Sequence, residues 1–177
     1  VTPLLPPDWK ESELDALGAF PAGLKFVLQR WEAGGEDARG MYTLGFLAHY
    51  PALAKAFLTL NKHVAADSTL NARERELLIL RISWLRQSEY EVVQHNILGR
   101  RAGLTDEELV QIQTGPADAA WSAADANLLQ VADDLHANAC IGDETWKRLA
   151  ERYDTRQIMD MIFLVGCYVV LAMGIKS

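Results

Sequence analysis

Residues 71–85 read NARERELLILRISWL, and their reading decides the fold class. Asn71 followed three positions later by Glu74 is a helix-start pattern. The asparagine oxygen takes an N–H of the first turn, and the glutamate reaches back to the N–H of the cap residue. The segment Leu77 to Leu85 that follows shows no alternation of polar and β-branched residues and is apolar on more than one face. It reads as a helix buried most of the way round. Glu76 stands at the head of that apolar stretch. A carboxylate there is costly unless it is paired or has chemistry to perform; the competing reading is a solvated first-turn residue that complements the helix dipole.

The same signature recurs downstream. TDEELVQI repeats it with Thr105 and Glu108, and SAADANLLQVADDLHA starts at Ser122 with Asp125 in its first turn. DETWKRLAERY begins at Asp143, and TRQIMDMIFLV follows from Thr155. Gly103, Gly115 and Gly142 fall at the breaks, where helices stop. Upstream, GLKFVLQRWEA, RGMYTLGFLAHY and PALAKAFLTLNKHV supply three more helical stretches, the last opened by Pro51 at a position that tolerates proline. The expectation is an all-α chain: one helical-bundle domain over residues 1–177, with 1–38 as an N-terminal extension. A chain of 177 residues is long enough for one substantial core and short for two.

Charge narrows the partners. With 24 acidic residues against 17 basic, the net charge is −7 and no Lys/Arg stripe is interleaved with aromatics, so no nucleic-acid partner is expected. The two cysteines, Cys140 and Cys167, belong to no CxxC pair, which fits a reducing, cytoplasmic setting. VTPLLPPDWK has no basic stretch leading into an apolar run, so no signal peptide is expected. The most apolar run, Met161 to Ile175, falls short of the ~20 residues that span a bilayer, and no membrane span is expected. Two helices apolar on several faces are more than a chain this size covers alone, so a homo-oligomer is expected.

Residues 88–95, SEYEVVQH, carry the candidate chemistry. On a helix, Ser88, Glu91 and His95 share one face. Ser88 and Glu91 also match the capping pattern, which would satisfy backbone donors and require no substrate. His95 lies one turn beyond Glu91, where a carboxylate can orient its imidazole for proton transfer. Glu76, Glu91 and His95 are metal-ligand types, yet no paired ExxH motif accompanies them, so neither metal nor cofactor is assigned.

The stretch ARERELLILRISWLRQSEYEVVQHNILGRRAGLTDEEL resembles the signature region of the carboxymuconolactone decarboxylase family, whose superfamily includes the AhpD-type alkylhydroperoxidases. The resemblance extends through AHYPALAKAFLTLNKHV, DSTL and LHANACIGDETWKRLAERYD, and so over most of the chain from about residue 40. AhpD-type members carry a glutamate, then CxxC, then a histidine four residues after the second cysteine. Counted back from His95, Glu91 and Ser88 occupy the two cysteine positions, and Glu76 falls on the glutamate.

Loss of both thiols removes the dithiol chemistry, because serine and glutamate form no disulfide. The resemblance to the cysteine-free branch implies acid/base chemistry instead: a lyase or isomerase acting on a small carboxylated cyclic or aromatic-derived metabolite. Under that implication His95, Glu76 and Glu91 are catalytic. Arg81 is the candidate cation for a substrate carboxylate, and Ser88, Tyr90 and Gln94 are substrate neighbours. Relatives' assemblies imply a trimer or hexamer. The alternative of another class is a helical oligomer that binds without catalysing.

Overall fold

The structure is a computed structural model that describes residues 1–35 and 40–177. Among the described residues every regular element is helical. They form α1 (Glu11–Leu17), α2 (Pro21–Glu32), α3 (Met41–Leu47), α4 (Pro51–Lys62), α5 (Ala72–Leu85), α6 (Glu89–Arg101), α7 (Asp106–Thr114), α8 (Ala123–Asn138), α9 (Asp143–Ala150) and α10 (Thr155–Lys176). The all-α expectation holds. Asn71, Thr105 and Ser122 each cap their helix as expected, each side chain accepting from the N–H three residues on. The boundary expected at residue 38, and Arg39 at the start of the upstream helical stretch, lie outside the described residues. The chain clusters into one compact unit of 1–67 with 173–177 and a second of 68–172.

In the first unit, Trp9, Leu17, Val27, Met41, Leu44 and Leu58 belong to one buried apolar cluster. Short α1 has no counterpart among the expected helices. The N-terminal segment lies against α3 at Gly45, where the Leu4 N–H donates to the Gly45 carbonyl at 3.0 Å. A Cβ on Gly45 would stand 2.5 Å from the Leu4 carbonyl oxygen, so only glycine admits the crossing.

The second unit is built around α5, which contacts α6, α7 and α8. Leu77, Leu78, Ile79, Leu80 and Ile82 are all buried within this one chain, while Trp84 near the end of α5 is exposed. Gly99 lets α6 sit close: a Cβ there would meet Leu80, Leu104 and Leu109 side chains at 3.0–3.3 Å. Arg73 ties three helices together, donating to both oxygens of Glu108 and to Asp125 at 3.1 Å.

Helix α10 is longer than the apolar run within it. At 22 residues it is long and apolar enough to cross a membrane, so shortness does not argue against a span. Its buried Asp160 accepts from the Thr69 N–H and hydroxyl, both at 2.8 Å, and from the Ser68 hydroxyl at 3.1 Å. Its buried face includes Ile158, Met161, Leu164, Val165 and Tyr168, while Met159, Phe163, Val170 and Met173 are exposed.

Candidate active site

The corner between α5 and α6 is shaped by one residue in the left-handed region, Gln87 at φ 52°. That turn aims the Ser88 N–H at the Ser83 carbonyl, 3.0 Å away. Ser88 sits at the N-cap with ψ 83°, and its side chain makes no capping hydrogen bond. The capping-box reading of Ser88 and Glu91 is therefore corrected. The backbone donor that a capping glutamate would accept is already committed to Ser83.

Glu91 is consequently left inside the protein without a backbone partner. It is 3 % exposed, and Ser88 is 2 % exposed. Among the described residues, the buried polar side-chain atoms lacking a hydrogen-bond partner are Ser83 Oγ, Ser88 Oγ, both Glu91 oxygens, Gln94 Oε1 and Trp121 Nε1. All but the tryptophan belong to this corner. Unmet polar groups usually cost a fold about 1–3 kcal/mol each, so their concentration in one place makes this corner the candidate site. Burial pushes the Glu91 carboxyl up to about 7, against smaller opposing effects of Ser88 and His95.

His95 faces Glu76 across the two helices. Its Nδ1 and Glu76 Oε2 are 2.8 Å apart, although the residues are 19 positions apart in sequence. The sequence singled out both residues, and the fold brings them together. Glu76 is only 9 % exposed, so the solvated first-turn reading fails. With Nδ1 held by a carboxylate, Nε2 is the nitrogen left for chemistry. The ring is also clamped from α10: the Tyr168 ring lies edge-on to it, with centroids 5.0 Å apart and planes at 84°.

Arg81 is not available to a substrate carboxylate. Its guanidinium donates to Asp133 at 2.6 and 2.9 Å and to the carbonyls of Ile112 and Gln113 at 2.8 and 2.9 Å. It is 7 % exposed and staples α5 to α8 and to the end of α7. The expectation that it binds substrate is corrected, because this buried guanidinium spends four of its five N–H donors on Asp133 and two carbonyls. Tyr90 and Gln94 are half-buried on α6. No group of three or more His, Cys, Asp or Glu among the described residues is disposed to hold a metal ion. Cys140 and Cys167 are free thiols, one exposed and one buried.

Tyr168 is the site residue that motif reading missed. It lies 73 positions beyond His95, in an apolar segment whose pattern speaks only of packing. Its one sequence signal is a hydroxyl-bearing residue inside the run VGCYVV. Burial first, and then the nearby Glu76, Cys167 and Glu91, hold its phenol well above the usual value, while Arg75 pulls the other way.

Residues 51–134 match the model of the carboxymuconolactone decarboxylase family, the family that the motif spacing resembles. The matched stretch is just under half of the chain; it contains Glu76, Ser88, Glu91 and His95 and leaves Tyr168 outside. No curated protein and no solved structure matches the chain.

Proposed function

We propose that this carboxymuconolactone decarboxylase-like protein is a cofactor-independent lyase for a small carboxylated cyclic or aromatic-derived metabolite, with His95 as its proton donor. The observation that carries this reading is the 2.8 Å contact from Glu76 to His95 Nδ1, which leaves Nε2 to react. In the reaction, the C–C bond to the substrate carboxylate breaks and carbon dioxide leaves. The electron pair passes through the conjugated system to a ring carbonyl oxygen, giving a dienolate. Protonated His95 then delivers its Nε2 proton to the dienolate carbon, the carbonyl re-forms, and solvent returns the proton to the imidazole.

Charge does not oppose an anionic substrate here. A protonated His95 paired with ionised Glu76 is neutral as a unit, and Glu91 holds its proton below about pH 7. The dithiol route to peroxide reduction has no counterpart, since Ser88 and Glu91 stand where it needs thiolates. The exposed apolar residues of α10 support a homo-oligomer as part of the same proposal, and the family resemblance suggests a trimer or hexamer.

The test is carbon dioxide release from carboxymuconolactone-like substrates by wild type, His95→Ala and Glu76→Gln. Each variant is expected to lose roughly 10²- to 10⁴-fold in kcat, the range of general acid catalysis. Retention of activity by both variants sinks the assignment. Silence of the wild type on such substrates favours a binding scaffold.

A further inference from the structure

We propose that Tyr168 is the second donor of this site, its hydroxyl hydrogen-bonding the substrate oxygen that becomes negative as the carboxylate leaves. The inference rests on the lyase reading and completes it. Decarboxylation needs two things from the protein: a proton for carbon and a donor for the developing oxyanion. His95 meets the first need. Arg81, the residue whose type and spacing suggested the second role, spends four of its five N–H donors on Asp133 and two carbonyls.

The remaining hydroxyls are unequal. Ser83 Oγ and Ser88 Oγ are sealed inside the corner. The Tyr168 hydroxyl is not among those sealed atoms, and it takes no part in the hydrogen bonds formed among the described residues. Its ring packs edge-on to the imidazole at 5.0 Å between centroids, so its place relative to the proton donor is fixed by the same contact that orients His95.

The surroundings keep this phenol a donor. Glu76 faces it from α5, Glu91 from α6 and Cys167 from its own helix, with Arg75 as the cation within reach. Arg75 is itself anchored, Nη1 donating to the Leu70 carbonyl at 2.5 Å. A phenol buried this deeply, with acidic rather than basic groups foremost around it, stays protonated and remains a donor. When the electron pair reaches the carbonyl oxygen, the Tyr168 O–H donates to it. When His95 protonates carbon, the pair returns and the hydrogen bond weakens. The tyrosine keeps its proton throughout, so no further co-reactant is required.

The experiment uses the full-length protein and nitrophenols that are ionised at neutral pH, whose phenolate oxygen and delocalised charge imitate the dienolate. Binding is followed by the shift of the phenolate absorbance, and His95 by the ¹⁵N signature of its ring. Wild type is expected to bind the phenolate, and Tyr168→Phe to bind it at least about 10-fold more weakly, as befits one hydrogen bond to an anion. The His95 ring signature is expected to stay unchanged in Tyr168→Phe, which keeps the ring and removes only the oxygen. Equal binding by the two proteins, or no binding by either, overturns the proposal. So does a weakening accompanied by an altered His95 signature, which marks Tyr168 as a positioning residue. Substrate turnover separates the two ideas. Tyr168-dependent phenolate binding without decarboxylation sinks the lyase reading and leaves Tyr168 as a hydrogen-bond donor to an anionic oxygen in this site. Decarboxylation that depends on His95 and persists in Tyr168→Phe sinks only the donor.

Discussion

At the start of α5, Asn71 Oδ1 accepts from the Glu74 N–H at 3.0 Å, and Glu74 Oε2 accepts from the Asn71 N–H at 2.9 Å. At the start of α6, Ser88 and Glu91 have the same spacing and residue types that cap helices equally well, yet no such pair of bonds forms. The difference lies in one backbone angle. Asn71 is extended, with ψ 167°, whereas Ser88 has ψ 83° and follows a residue with positive φ. Helix α7 behaves like α5: Thr105 caps it with ψ 165°, and the bidentate Arg73 pair, foremost among several influences, holds the Glu108 carboxyl below its usual value. Glu91 goes the other way, up to about 7. One local pattern thus yields two structural glutamates and one that is withheld from structure. The withheld one lies beside His95, in the candidate site, the kind of place where a local rule is expected to fail.

The largest effect that sharpens this contrast is on stability against pH. The folded state holds the Glu91 proton up to about 7, while an unfolded glutamate releases it near 4.5. Between those values the unfolded chain binds fewer protons, so stability falls as pH rises through the window and levels off above it. The gap corresponds to about 3 kcal/mol at most. Glu91→Gln keeps the shape and removes the charge. It is expected to be more stable than wild type by roughly that amount at pH 8, and equal to it near pH 4.5. Denaturant unfolding across pH 4.5–8.5 measures this. A variant whose stability tracks the wild type at every pH shows that Glu91 is not held protonated.

The contrast also explains what could be read from the chain alone. Caps at Asn71, Thr105 and Ser122 are local, decided within four residues, and so they were legible. Helix α1 offers only seven residues and a charged opening, too little periodicity to declare itself. Glu76 and His95 were legible because each sits in a recognisable motif, although their contact spans two helices. Arg81 was misread because its partner, Asp133, lies 52 positions away on α8, and nothing near Arg81 announces it. The failed cap at Ser88 was invisible for a different reason. Gln87 is not glycine, so nothing in its residue type announces the positive φ it adopts at the α5–α6 corner.

Smaller effects separate the helix starts directly. Asn71→Ala and Thr105→Ala each lose a real cap and should cost about 1 kcal/mol. Ser88→Ala loses no cap and at most a poorly aligned contact with Glu91, and should change stability by less than about 0.5 kcal/mol in either direction. Thermal or denaturant unfolding of the three variants at one pH gives the ranking. If Ser88→Ala proves as costly as the other two, its hydroxyl has a partner in solution and the withheld-cap account fails.

The smallest expected effect bears on the cause itself. Gln87 holds φ 52°, a conformation that costs a side-chain-bearing residue about 1 kcal/mol and glycine almost nothing. Gln87→Gly relieves that strain, while the added freedom of the unfolded chain offsets part of the gain. The net stabilisation should be a few tenths of a kcal/mol, visible as a slightly higher denaturant midpoint at unchanged slope. Helix α6 should start in the same place, with the Ser88 N–H still on Ser83 and Glu91 still buried. Loss of stability in the glycine variant would instead mean that the Gln87 side chain holds the corner, and that the left-handed turn is its consequence rather than the reason the third cap stays open.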